Sequence, residues 1–127
     1  EIWGDGNQTR SYLYIDDCIE ATKKLTRSDN KGPYNIGSEN VMSNLEIIYN
    51  IINKMLKPSQ KEIKEFSFYN QFIRFVEDRP GHDLKYSLDT FKIKDGLKWQ
   101  PKHSFEEGII KTITWYTNKF ESVKNEK

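Results

Sequence analysis

The chain has 127 residues, 35% of them apolar and 13% aromatic, and its 20 basic and 19 acidic side chains leave a net charge of +1. One domain at most is expected from this length, and near-neutral charge argues against nucleic acid as a partner, because binding a phosphate polymer rests on many uncompensated Lys and Arg. Cys18 is the only cysteine, so neither an internal disulfide nor a thiolate metal site is expected and a reducing compartment fits.

The apolar share is low against the roughly 45–50% of average globular chains with Gly counted. Three Trp, seven Tyr and seven Phe offset this, since each aromatic ring can bury about 150–250 Å². No apolar run approaches the ~18 residues of a membrane span, and no charged-then-apolar leader opens the chain. The expectation is a soluble, cytoplasmic protein with no membrane partner.

In chain order, Tyr12 to Ile15 reads as a strand or turn. A helix follows on which Ile15, Cys18, Ile19, Thr22 and Leu25 share one face, with Cys18 as a small buried hydrophobe. Asp16 and Asp17 suit its first turn and Lys23 and Lys24 its last, each sign facing the complementary end of the helix dipole. The turn formers from Ser28 to Pro33 end it, and a short strand is expected at Tyr34 to Ile36.

Ser43-Asn44-Leu45-Glu46 is a capping box at the start of a second helix. Leu45, Ile48, Ile52 and Met55 form one face of this helix, which closes at Lys57-Pro58. Strands are expected at Ile63 to Phe68 and Phe72 to Val76. Asp89 caps a short helix ending at Gly96. A second capping box, Ser104 to Glu107, opens the terminal helix, with residues 1–121 as one functional portion and Ser122 to Lys127 as a frayed tail.

Two stretches can carry chemistry. In Gly4-Asp5-Gly6-Asn7-Gln8-Thr9-Arg10, two glycines allow a tight loop that presents a long cation, to clamp an anion or simply to be solvated. Asp78-Arg79-Pro80-Gly81-His82-Asp83 combines a stiff backbone with an Arg, a His and two carboxylates. A planar guanidinium there can donate two parallel hydrogen bonds to phosphate oxygens, or brace the turn by pairing with a carboxylate. A metal at His82 with Asp78 or Asp83 fits on ligand type, but only one His sits nearby and no supporting pattern accompanies it, so none is expected. His103 reads as a loop residue beside a helix start.

The blocks Trp3 to Arg10, Ile15-Asp16-Asp17-Cys18, Tyr34-Asn35-Ile36-Gly37-Ser38, Asp78 to Asp83, Tyr86-Ser87-Leu88-Asp89, Trp99-Gln100-Pro101 and Gly108 to Tyr116, in that order, resemble the C-terminal third of extended short-chain dehydrogenase/reductases. These are NAD-dependent epimerases and dehydratases of nucleotide sugars. The second half is most similar to nucleoside-diphosphate-glucose 4,6-dehydratases. Gln8 to Ser11 and Asn35 to Glu39 are at least as similar to GDP-mannose 3,5-epimerases; dehydratases more often carry Asp where Ser11 stands, and Lys98 replaces the usual Gly between Leu and Trp.

The resemblance implies an α/β fold: the substrate-binding portion of a Rossmann-type enzyme, with short strands, about four helices and the nucleotide-binding core absent. It implies that Arg10 and Arg79 grip the diphosphate of a nucleotide sugar from two sides, Asn44 hydrogen-bonds the phosphate or nucleotide, and His82 helps position it. The parent reaction would be oxidation at sugar C4 by bound NAD, loss of water across C5 and C6, and return of hydride at C6. An epimerase, or a module that binds a nucleotide sugar without transforming it, is the alternative. The glycine fingerprint and the Tyr-x-x-x-Lys pair of the family do not occur in these residues, so no catalytic or NAD-binding residue is expected here. NAD, the Rossmann portion and the homodimer belong to the intact enzyme.

Overall fold

The computed structural model describes residues 1–64 and 66–125. The described elements are five short strands and six helices: β1 (Ile2–Trp3), β2 (Thr9–Ser11), α1 (Ile15–Thr26), β3 (Val41–Ser43), α2 (Asn44–Leu56), α3 (Gln60–Lys64), α4 (Phe66–Asn70), β4 (Phe75–Val76), β5 (Lys85–Tyr86), α5 (Phe91–Leu97) and α6 (Phe105–Asn125). Where the length suggests one domain, the chain forms two compact units. The first takes Glu1–Arg10 and Val41–Ser87, and the second Ser11–Asn40 and Leu88–Lys127.

In the first unit β1 pairs with β4 in parallel, Ile2 opposite Phe75, and a three-stranded sheet has the order β3-β2-β5 with Arg10 opposite Tyr86. The Ser43 capping box forms as expected: the Glu46 N–H donates to Ser43 Oγ (3.2 Å) while the Ser43 N–H donates to Glu46 Oε2 (2.6 Å). α2 buries Ile52 but leaves Met55 and Leu56 exposed, so its interior face is narrower than the apolar pattern suggests.

The strand expected at Ile63 to Phe68 is instead α3 followed by α4, with Glu65 outside the described residues. The cause is local. Ser59 and Glu62 form a third capping box, with the Ser59 N–H donating to Glu62 Oε2 (2.8 Å) and the Glu62 N–H to Ser59 Oγ (3.3 Å). Phe68 then meets Phe72 one helical turn on, ring centroids 5.5 Å apart. Tyr69 is buried against Tyr49 at 4.5 Å, and its hydroxyl donates to Asn53 Oδ1 (2.8 Å). Only Phe75–Val76 of the second expected strand pairs.

The second unit is built on Ala21, Ile93 and Trp99, with Leu13, Leu25, Tyr34, Ile36 and Leu97 packed against them. No ladder forms at Tyr34 to Ile36. Its apolar residues pack on this cluster, which explains the alternation without a strand. α1 begins at Ile15 as expected, but its interior side carries Asp17 and Ala21, and Ile15 and Ile19 are 60% and 44% exposed. Cys18 is half-buried rather than buried. Ser11 Oγ donates to the Ser38 carbonyl (2.5 Å) and accepts the Ser38 N–H (3.2 Å), so the two epimerase-like blocks touch directly.

The Ser104 capping box opens α6, which runs through Asn125. Among the described residues, no helix is long and apolar enough to cross a membrane. Asp89 Oδ1 accepts the Phe91 N–H (2.8 Å) at the start of α5. That helix ends at Leu97 rather than Gly96, on Lys98 at φ 47°, in the left-handed region. A side chain there costs roughly 1–2 kcal/mol relative to glycine. The Lys98–Asp95 pair (3.0 Å) is exposed and offsets little. Lys98→Gly should therefore raise stability by about 0.5–1 kcal/mol after glycine's larger unfolded-state entropy is counted, read as a higher denaturation midpoint; a lower midpoint would contradict the strain.

Candidate functional site

All four residues expected to hold a diphosphate, Arg10, Asn44, Arg79 and His82, fall in the first unit. They reach it on three segments far apart in sequence. Backbone bonds join those segments: the Gly4 N–H donates to the Val76 carbonyl (3.0 Å) and the Thr9 N–H to the Leu84 carbonyl (2.8 Å). The loop before β2 and the loop from Glu77 to Asp83 are thus fixed to each other at both ends. The Asn44 N–H donates to the Gln8 carbonyl (3.1 Å) and the Leu45 N–H to the Gly6 carbonyl (3.1 Å), which attaches the start of α2 to the same loop.

The Glu77 to Asp83 loop is organised by Asp78. Its Oδ1 accepts the Arg79 N–H (2.9 Å) and the His82 ring at Nδ1 (2.7 Å), and its Oδ2 accepts the Gln8 side-chain Nε2 (3.1 Å). The His82 bond, helped by the Arg79 N–H and the Gln8 amide and opposed by partial burial, holds the Asp78 carboxyl below the ordinary carboxylate range. A carboxylate only accepts, so His82 Nδ1 carries a hydrogen and the ring is oriented. Gly81 stands at φ 73° with open space around it, so the loop needs glycine for its backbone angle alone.

The bracing of this turn runs through the Asp78 carboxylate, the Arg79 backbone and the His82 ring. Among the described residues the Arg79 guanidinium is in no ion pair, and the residue is exposed. Arg10 is half-buried in β2, and its Nη1 donates to the Thr9 carbonyl (2.8 Å), which anchors one arm of the guanidinium and leaves other donors. Asn44 is the first residue of α2, whose opening N–H groups are taken by the Gln8 and Gly6 carbonyls and by Ser43 Oγ.

Two participants escape the sequence reading: Gln8, 1% exposed, and Asp78 as a junction. The signal for both was Gly4. At φ 69°, a Cβ on Gly4 would stand 2.7 Å from Asp78 Oδ2 and 2.8 Å from Gln8 Nε2, so the missing side chain makes room for their bond.

A second polar cluster lies in the second unit. Asp17, 1% exposed, accepts the Lys102 N–H (3.2 Å), the His103 N–H (3.1 Å) and the His103 ring at Nδ1 (3.0 Å). Asp17 lies in the first turn of α1 as expected, and in addition it is buried and tied to the turn before α6. Lys111 Nζ lies 2.9 Å from His103 Nε2; an ammonium only donates, so Nε2 is the acceptor of this pair. With both nitrogens engaged, His103 is a structural tie rather than a free base. A cavity of about 240 Å³ is lined by Gly37 to Asn40, Ile93, Trp99 and His103 among others, and none of the four expected residues lines it.

The chain belongs to the GDP-mannose 4,6 dehydratase family, whose model matches residues 1–112. It is 40% identical over 121 residues to a dTDP-glucose 4,6-dehydratase of Escherichia coli, covering 92% of this chain and 33% of that protein. Among solved structures it is similar to dTDP-glucose 4,6-dehydratase from Bacillus anthracis in complex with NAD, with TM-score 0.76, 31% identity, and 94% of this chain and 35% of that one covered. A UDP-glucuronic acid 4-epimerase from Bacillus cereus in complex with UDP-glucuronic acid and NAD is also similar, with TM-score 0.72, 27% identity, and 92% and 34% covered. The chain therefore spans about a third of the length of the relatives it matches.

Burial alone would push the Asp17 carboxyl up, but the hydrogen bonds from the His103 ring and from the His103 and Lys102 N–H groups outweigh it and hold the carboxyl below its ordinary value. A depressed value contributes stability above the unfolded pKa, about 3.9 for Asp, and loses it as pH falls through the folded value. Asp17→Asn should lower stability at pH 7 by about 1–3 kcal/mol, because buried donors lose their acceptor. The gap to the natural protein should narrow below pH ~4, measured by thermal melts across pH; a constant gap would contradict the assignment.

Proposed function

We propose that this segment binds the nucleoside diphosphate of a nucleotide sugar within an NAD-dependent nucleoside-diphosphate-glucose 4,6-dehydratase, which removes water to give a 4-keto-6-deoxy sugar nucleotide. The observation that carries this reading is the joining of the segments that bear Arg10, Asn44, Arg79 and His82 into one hydrogen-bonded unit. Arg79 and Arg10 supply permanent cations for the diphosphate, with no proton tuning needed at working pH. Asn44 adds a side-chain amide at the start of α2. The His82 ring, oriented by Asp78 through Nδ1, keeps Nε2 as its second polar atom.

This segment's own residues do not fit an NAD site. No glycine fingerprint and no Tyr-x-x-x-Lys pair occur in the chain, and among the described residues the strands are only two or three residues long. NAD, when bound, supplies the oxidation and reduction of the sugar from the remainder of the enzyme. The present residues contribute affinity remote from the reacting carbon, which fixes the sugar's orientation. Ile15 and Ile19, exposed on α1, suit packing against the Rossmann portion. By the same family likeness, the intact enzyme is a cytoplasmic homodimer.

In the intact protein, Arg79→Ala should weaken dTDP binding about 10–100-fold, the usual range for a lost charge-assisted contact. The melting temperature should hardly change, since the side chain is exposed. Calorimetric titration with dTDP, UDP and GDP checks this and reports the base preferred; unaltered affinity for all three overturns the reading. Product analysis decides the chemistry, because a stereoisomer formed without loss of water would assign an epimerase instead.

A further inference from the structure

Gln8 touches every segment of the proposed diphosphate site except its own arginine neighbour. Its backbone carbonyl takes the Asn44 N–H, and its side-chain Nε2 donates to Asp78 Oδ2, 70 residues away in sequence. Asp78 in turn holds the Arg79 backbone and the His82 ring through its other oxygen. Because a carboxylate only accepts, the amide has a single orientation: nitrogen toward Asp78, oxygen away. The oxygen is buried without a hydrogen-bond partner. A buried orphan acceptor is costly and unusual. An apolar side chain would avoid that cost, and Gly4, at φ 69°, gives up its own side chain to leave room for the bond.

We propose that Gln8 is a positioning residue for nucleoside diphosphate binding, acting through Asp78 to fix Arg79 and His82 relative to Asn44. The inference rests on the reading of Arg79 as a diphosphate ligand. Gln8 lies almost wholly inside the protein, so it acts on the ligand through these neighbours. The amide selects one position of the Asp78 carboxylate, and that position aims both the Arg79 backbone and the His82 ring. Without it, the loop from Glu77 to Asp83 keeps its ends on β4 and β5, but its carboxylate is held only from within the loop, by the Arg79 N–H and the His82 ring.

The test is a double-mutant cycle in the intact protein, with dTDP affinity read by calorimetry and folding by melting temperature. Gln8→Met keeps the bulk and removes the amide. It should weaken dTDP about tenfold in the natural background, yet add little beside Arg79→Ala, because coupled neighbours do not add. In steady-state assays KM should rise with kcat nearly constant. If Gln8→Met leaves affinity unchanged, or its loss multiplies with that of Arg79→Ala, the positioning role is overturned while the site stands. If Arg79→Ala alone binds dTDP normally, the site reading fails and this inference falls with it. Should Gln8→Met not fold, Asp78→Asn replaces it in the same cycle, with the same non-additivity expected and the same outcomes decisive.

Discussion

The bond from the Gln8 amide to the Asp78 carboxylate is the constraint on which the first unit's polar surface depends. It ties a loop near the start of the chain to one 70 residues on, and neither loop contains regular structure that would hold it in place. Chain entropy opposes such an arrangement, at roughly 1–2 kcal/mol for each residue fixed. The loops are ordered by what their ends are attached to: short parallel pairings at β1–β4 and β2–β5, with the start of α2 bonded to the same turn. Two parallel pairs of two residues each are weak alone. Their value lies in making the separation of the two loops definite, so that one side-chain bond can then set their orientation.

What the sequence made legible follows the range of the interaction responsible. The capping boxes at Ser43 and Ser104 are closed by residues three positions apart and form as read. The same signal stood at Ser59 and Glu62. The alternation from Ile63 to Phe68 obscured it, although Phe68 and Phe72 were spaced for a helix. Asp17 was read from its place in a first turn, a local effect. Its actual partners are 85 and 86 residues away, and no periodicity signals a contact of that length. The apolar stripe of α1 is legible in the sequence as well, and Ile15 and Ile19 on it face outward in this segment.

The candidate site divides in the same way. Arg10, Asn44, Arg79 and His82 were recognisable because ordered motifs carry them. Gln8 lies within such a motif, yet a polar residue in a glycine-rich turn reads as solvated. Its burial comes from Asp78 and from the side chain that Gly4 lacks. Membership of the dehydratase family accounts for the motifs. The local hydrogen bonds supply a physical reason for residues the motifs leave unexplained. The second unit serves a different purpose: Asp17 joins α1 to the turn before α6 through His103, a tie that uses both imidazole nitrogens and leaves none for chemistry.

The most direct measurement is a crystal structure of the intact protein with dTDP bound. The account predicts guanidinium nitrogens of both Arg10 and Arg79 within about 2.7–3.2 Å of diphosphate oxygens, with the Gln8 amide still on Asp78. A diphosphate held by neither arginine, or by only one of the two, would contradict it.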